Sequence, residues 1–232
     1  MKASRLTAKI CRFIPEKVDD AIVLEIYELM QKTGKLLRIH APASFQKNSE
    51  ALQVHVPSIL RAGGYIEDQF SYGDLTYGKT TMKLAGCEIF AVYNALVTLK
   101  AGHWSDLPAI IRDFETEGMV LSGKFGTSPK SMIRYLDHKG FHTEFTTDPS
   151  RFESLGKKYR SLILIMYNNA SDIREQIHTV HISSESAVFT AHNVYCNGTV
   201  AGPSSSLTGL ISGFNNGKAR GICLIGINNH RM

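Results

Sequence analysis

The chain lacks the features that would commit it to several large classes of protein. No stretch of its 232 residues approaches the ~20 apolar positions of a membrane-spanning helix, so no membrane partner is expected. Met1-Lys2-Ala3-Ser4-Arg5 is basic, but Thr7, Lys9 and Arg12 interrupt the apolar residues from Leu6 to Ile14; a secretory leader is not expected and a cytoplasmic setting is. Cysteine is scarce and scattered. Cys11, Cys87, Cys196 and Cys223 form no C-x-x-C pair, which argues against a zinc site or a disulfide framework and fits a reducing compartment. Internal repeats and low-complexity segments are missing too. The 26 Lys and Arg exceed the 21 Asp and Glu only slightly, for a net charge of +5, and no basic stripe interleaved with aromatics marks a nucleic-acid partner. No metal or organic cofactor is implied. What remains is an ordinary globular composition, 43% hydrophobic and 20% charged, with length enough for a substantial core.

Residues 1–60 read as a helical N-terminal arm or subdomain. Pro15-Glu16-Lys17 opens a run in which Val18, Ala21, Ile22, Ile26, Leu29 and Met30 share a face, and Gly34 suits its C-terminal cap. A polar loop with Pro42 and Asn48 comes next, then a short apolar stretch, Leu52–Val56, ended by Pro57. The segment from Gly63 to Lys83 is rich in loop residues. Helices are predicted after Gly86, from Trp104-Ser105-Asp106 to Gly118 with Ser105 or Asp106 as the cap, and from Pro129 to Gly140 behind a Ser128 cap. The pattern then turns to strands. Phe141–Phe145 alternates, Ser161–Met166 is a continuous apolar run, and His178–Ile182 and Ala187–Tyr195 flank a turn at Ser183–Glu185; Gly221–Ile227 closes the series. Helices first and strands after define an α+β fold with an antiparallel sheet over residues 61–232.

The chemistry centres on Gly86-Cys87-Glu88. Cys87 stands where a polar loop meets a helix whose apolar positions are Ile89, Phe90, Val92, Tyr93, Leu96 and Val97. At a helix start the free N–H groups and the dipole favour a thiolate, so a lowered thiol pKa is expected. A nucleophilic thiol needs a base, and the base needs a group to hold its ring. His178 opens one strand and Asn193 lies in its hairpin partner, so the triple Cys87, His178, Asn193 is complete, with His181 and His192 as rival bases and Asn197 as the rival to Asn193.

These features resemble a papain-like cysteine peptidase, of the branch that includes the bacteriocin-processing double-glycine peptidases and their stand-alone bacterial relatives. The resemblance rests on Gly86-Cys87, Gly126-Thr127-Ser128-Pro129, Ile133–Phe141, Leu162–Met166, Ile177-His178-Thr179-Val180 and Asn193, and covers roughly residues 70–227. It implies a papain-like fold with a cleft between helix and sheet. It also implies a thiol hydrolase or acyltransferase acting on a peptide or isopeptide bond of a peptide or protein substrate. The alternative is a catalytically inactive module that keeps the cleft for binding a peptide or protein. Two departures stand out. The family's Gly-Pro after the nucleophile is Glu88-Ile89 here, and its upstream glutamine is replaced by Thr81, with no Gln from Tyr72 through Gly86. The Thr80 or Thr81 hydroxyl, Lys83 or a backbone N–H would have to substitute for it, and Thr81 is the expected partner of the Cys87 N–H in holding an oxyanion.

Overall fold

A computed structural model describes residues 19–36, 45–171 and 177–229. The expected beginning of the first helix at Pro15-Glu16-Lys17, together with Cys11, Val18 and Pro42, lies outside the described residues. Among the described residues there are eight α-helices and a six-stranded antiparallel sheet, so the fold is α+β. No helix among them is long and apolar enough to cross a membrane.

Two helices make up the arm, α1 (Asp20–Leu36) and α2 (Phe45–Arg61). The expected loop around Asn48 and the break at Pro57 are both corrected: α2 runs through them. Asn48 is buried, its side chain donating to the Thr76 carbonyl and accepting from the Thr76 N–H, both at 2.8 Å. This clasp engages a side chain that would otherwise compete for the backbone groups of its own helix. A small hairpin comes after it, β1 (Thr76–Tyr77) and β2 (Thr80–Thr81), then the short α3 (Met82–Ala85) and the central α4 (Cys87–Thr98). Every residue of α4 from Cys87 to Leu96 is buried, as expected of a helix that is apolar nearly all round. α5 (Leu107–Glu117) and α6 (Pro129–His138) complete the helical layer. Asp106 and Ser128 stand at their N-caps, but neither side chain caps: the Ser128 hydroxyl bonds to Glu28 of α1 at 3.3 Å, and Asp106 accepts from the His103 N–H.

The sheet strands are β3 (Phe141–Thr146), β4 (Ser161–Tyr167), β5 (Ile177–Glu185), β6 (Val188–His192), β7 (Ala201–Ser204) and β8 (Arg220–Asn229), in the order β3-β8-β4-β5-β6-β7. β7 went unforeseen, as did the small helix α7 (Phe152–Lys158). The last helix, α8 (Leu207–Gly213), starts where Ser206 accepts from the Gly209 N–H. All of β4 is buried because both faces are covered. Ile163, Ile165 and Tyr167 join the core under α4, while Leu162, Leu164 and Met166 join a second core with Phe152, Leu155, Leu207 and Ile211 of α7 and α8.

The arm shares the first core. Val23, Leu24, Leu52 and Ile59 are buried in one cluster with Ile89, Phe90 and Tyr93 of α4. Around this contact Glu28 pairs with Arg134, and Asp20 with Arg220 at 2.7 Å. Such half-exposed pairs contribute little each, so burial dominates. We therefore expect Leu52→Ala to cost about 2–5 kcal/mol. In urea, tryptophan fluorescence and far-UV circular dichroism should shift together in one transition; loss of the arm in a separate early transition would show that it folds apart from the core.

Candidate active site

Cys87 is the first residue of α4, behind Gly86, as its sequence setting requires. Its thiol, 8% exposed as a residue, lines a cleft of about 570 Å³ together with His178, Gln69 and Cys196. His178 lies near the start of β5 and is 6% exposed. The turn of the β5–β6 hairpin falls at Ser186–Ala187, both at positive φ, one step beyond the expected Ser183–Glu185. In this register His181 faces His192, and β6 ends there.

Asn193 meets His178, though not in the expected way. It comes directly after the strand at φ +59, a left-handed conformation that Asn tolerates better than most residues. The turn aims its backbone carbonyl at the ring, and the His178 Nε2–H donates to that oxygen at 2.9 Å. The anticipated side-chain bond to His178 is thus replaced by a main-chain one. The Asn193 amide instead makes a reciprocal pair with Gln69: Oδ1 accepts from the Gln69 N–H and Nδ2 donates to Gln69 Oε1, both at 3.1 Å.

The Asn193 turn is held from the loop after α2. Glu67 accepts from the Asn193 N–H at 2.8 Å through Oε2, and its Oε1 pairs with His192 Nδ1 at 2.5 Å. His192 is further tied to Ser183 and stacked on Tyr65 with centroids 4.0 Å apart. The loop itself is fixed to α4, where Asn94 takes both the N–H and the carbonyl of Ile66 at 2.8 and 2.9 Å. The rival bases are thereby occupied. Neither His181 nor His192 lines the cleft, and His181 is bonded through Nε2 to Thr98 and Ser161. Burial and the His192 charge hold the His181 pKa well below its ordinary value.

The state of the thiol departs from expectation. Burial, and next the neighbouring Glu88 charge, push the Cys87 pKa well above the ordinary thiol value, against the lowering expected at a helix start. The dipole of a first turn is worth about 1 kcal/mol or less, whereas desolvation of a fully buried charge moves a pKa by several units. Only the Thr179 N–H facing the sulfur opposes this. The thiol donates to Glu88 Oε2 at 3.3 Å, and no hydrogen bond joins it to His178 among the described residues. Burial lowers the His178 pKa, so the ring is neutral near pH 7 and, with Nε2–H given to Asn193, carries its lone pair on Nδ1.

Glu88 is 5% exposed, and burial raises its pKa to about 7, offset in part by its own N–H, the Cys87 thiol and the Thr127 N–H. Gly126 makes room for it. At φ +67, a Cβ on Gly126 would stand 2.7 Å from both Glu88 carboxylate oxygens. The Gly126-Thr127 motif and Glu88 are therefore one arrangement, across the gap between α4 and α6.

Thr81 is not among the residues that line the cleft; Gln69 occupies it instead, its Nε2 donating to the Lys83 carbonyl at 3.1 Å. Gln69, Glu67 and Cys196 were invisible as site residues. Gln69 lies upstream of the stretch where a glutamine belongs, and Cys196 reaches His178 Nε2 at 3.6 Å only through the turn after Asn193. No group of three or more His, Cys, Asp or Glu among the described residues could hold a metal ion. Comparison with protein-family models, with curated proteins and with solved structures returned no match.

This geometry makes two outcomes measurable. Asn193→Asp should destabilise the fold by about 1–3 kcal/mol in urea unfolding, because a carboxylate would face Gln69 Oε1 inside a buried pair; unchanged stability would mean the pair is dispensable. Glu88 binds its proton more tightly folded than unfolded, so its contribution is largest below 4.5 and is lost as pH rises through about 7. His178 and His181, with depressed pKa values, work in the opposite sense, losing stability as pH falls below 6.5. The difference in unfolding free energy between the native chain and Glu88→Gln isolates the first effect. It should change by on the order of 3 kcal/mol across the interval from 4.5 to about 7, and a flat difference would place the raised Glu88 pKa in doubt.

Proposed function

We propose that the chain is a papain-like thiol hydrolase or acyltransferase acting on a peptide or isopeptide bond. The observation that carries this reading is that Cys87 at a helix start and His178 with its ring anchored line one cleft. Cys87 Sγ attacks the carbonyl and forms a thioester, releasing an amine. His178, neutral and basic at Nδ1, is the base that activates the water or amine resolving the thioester. Asn193 is a positioning residue that acts through its carbonyl. The Cys87 N–H, with Gln69 Nε2 in the place expected of Thr81, receives the oxyanion; such a donor is worth about 2.7–4 kcal/mol. Phe70, Leu84 and Tyr195 give the cleft apolar walls, and Lys83 and Lys218 are the charged residues that line it. That lining suits an extended peptide with an apolar side chain and an acidic or carboxylate end.

One observation favours a second reading. The Cys87 thiol, neutral and bonded to Glu88, lacks the ion pair with histidine of a primed nucleophile, as befits an inactive module that binds a peptide or protein in the cleft. An electrophilic peptide probe, such as a peptidyl vinyl sulfone, separates the two. As an enzyme, the chain should be labelled at Cys87 ahead of Cys196 and Cys223, whose pKa values burial pushes up to about 12. His178→Ala should lower turnover of a peptide substrate by roughly 100-fold or more. Equal labelling of the three thiols by peptide mapping, with probe binding retained, would establish the binding module.

A further inference from the structure

Resting on the reading of Cys87 as the nucleophile, we infer that Glu88 is a catalytic residue, the group that takes the Cys87 proton during acylation. The sulfur donates to Glu88 Oε2 at 3.3 Å, while His178 makes no hydrogen bond to it and spends Nε2–H on Asn193. The carboxylate is fixed rather than adventitious. Gly126 is shaped around it, the Thr127 N–H binds it, and the Thr127 hydroxyl is tied to Tyr77 at 2.8 Å. A buried carboxylate carried beside a thiol on the first turn of a helix is a costly arrangement unless the charge has a use or a partner. The charged or titratable groups that face this pair are Tyr77 from the β1–β2 hairpin, Cys196, and the cleft-lining His178, Lys83 and Lys218.

Protons balance over the cycle. As Sγ adds to the substrate carbonyl, the S–C bond forms and the S–H proton passes to Glu88 Oε2. When the tetrahedral adduct collapses, the C–N bond breaks and the Glu88 carboxylic acid gives that proton to the departing amine nitrogen. His178 Nδ1 then takes a proton from the water or amine that resolves the thioester, and returns it to the sulfur as the S–C bond breaks. Acylation thus belongs to Glu88 and deacylation to His178. The Glu88 pKa of about 7 matches such a task near neutrality.

The test is the pH profile of Cys87 alkylation by iodoacetamide on the full chain, read by peptide mass spectrometry. In the native protein the rate should rise through about pH 7, the Glu88 range. Glu88→Gln should abolish that rise, slow alkylation near neutrality at least about tenfold, and defer reaction to alkaline pH. If Cys87 labels fast and Glu88→Gln labels equally fast or faster, the carboxylate only restrains the thiol and the inference falls alone. If Cys87 in the native protein labels no faster than Cys196 and Cys223, the nucleophile reading falls and takes the inference with it. A second measurement leaves the carboxylate native. In Cys87→Ala the Glu88 side-chain carbon, observed by ¹³C NMR, should titrate above about 7, because the thiol donor that lowers it is gone. An unmoved midpoint would show that the two groups do not share a proton and would overturn the inference.

Discussion

Asn94 holds the site together from within the helical layer. It is fully buried in α4, and its side chain takes both backbone groups of Ile66, so the loop beyond α2 cannot shift against the helix that carries Cys87. From that fixed point Glu67 and Gln69 reach across to the end of β6 and bind the Asn193 turn through its N–H and its side chain. The turn in turn points a carbonyl at His178. Each of these buried groups would cost about 1–3 kcal/mol if left unpaired. The chain of bonds therefore behaves as a unit, and it registers helix against sheet more strictly than apolar packing could. Hydrophobic contact is non-directional, and a slide of an ångström between α4 and β5 would leave its area nearly unchanged.

The same burial that makes this network strong changes the chemistry of its ionisable groups. At a solvent-exposed helix start the dipole would decide the state of the Cys87 thiol. Inside the cleft, desolvation decides it and Glu88 reinforces the outcome. His178 is moved the other way by the same cause, towards neutrality. A neutral thiol beside a neutral imidazole and a carboxylate near its own midpoint is a different starting state from a thiolate–imidazolium pair.

Much of the architecture was legible because it derives from periodicity. The unbroken Leu162–Met166 run signalled a strand covered on both faces, and β4 is that strand; the apolar spacing after Gly86 signalled a buried helix, and α4 is that helix. Where the sequence misled, local chemistry had been outweighed by contact. Asn48 and Pro57 read as breaks, yet the clasp on Thr76 and the packing of Leu52 and Ile59 keep α2 continuous. Ser128 read as a cap, yet Glu28, 100 residues away, takes its hydroxyl.

The site divides along the same line. By itself the sequence determined the setting of Cys87, since a loop-to-helix junction is a local event, and the proximity of His178 and Asn193, since a short hairpin returns the chain on itself. Only the tertiary structure decided how those groups meet. That Asn193 offers its carbonyl while its amide goes to Gln69 depends on a partner 124 residues away. That Gln69 rather than Thr81 enters the cleft depends on the Asn94 clasp. That the thiol is raised rather than lowered depends on how many layers cover it. Periodicity and spacing encode short-range geometry; burial, and every pKa and hydrogen bond that burial governs, is a property of the packed whole.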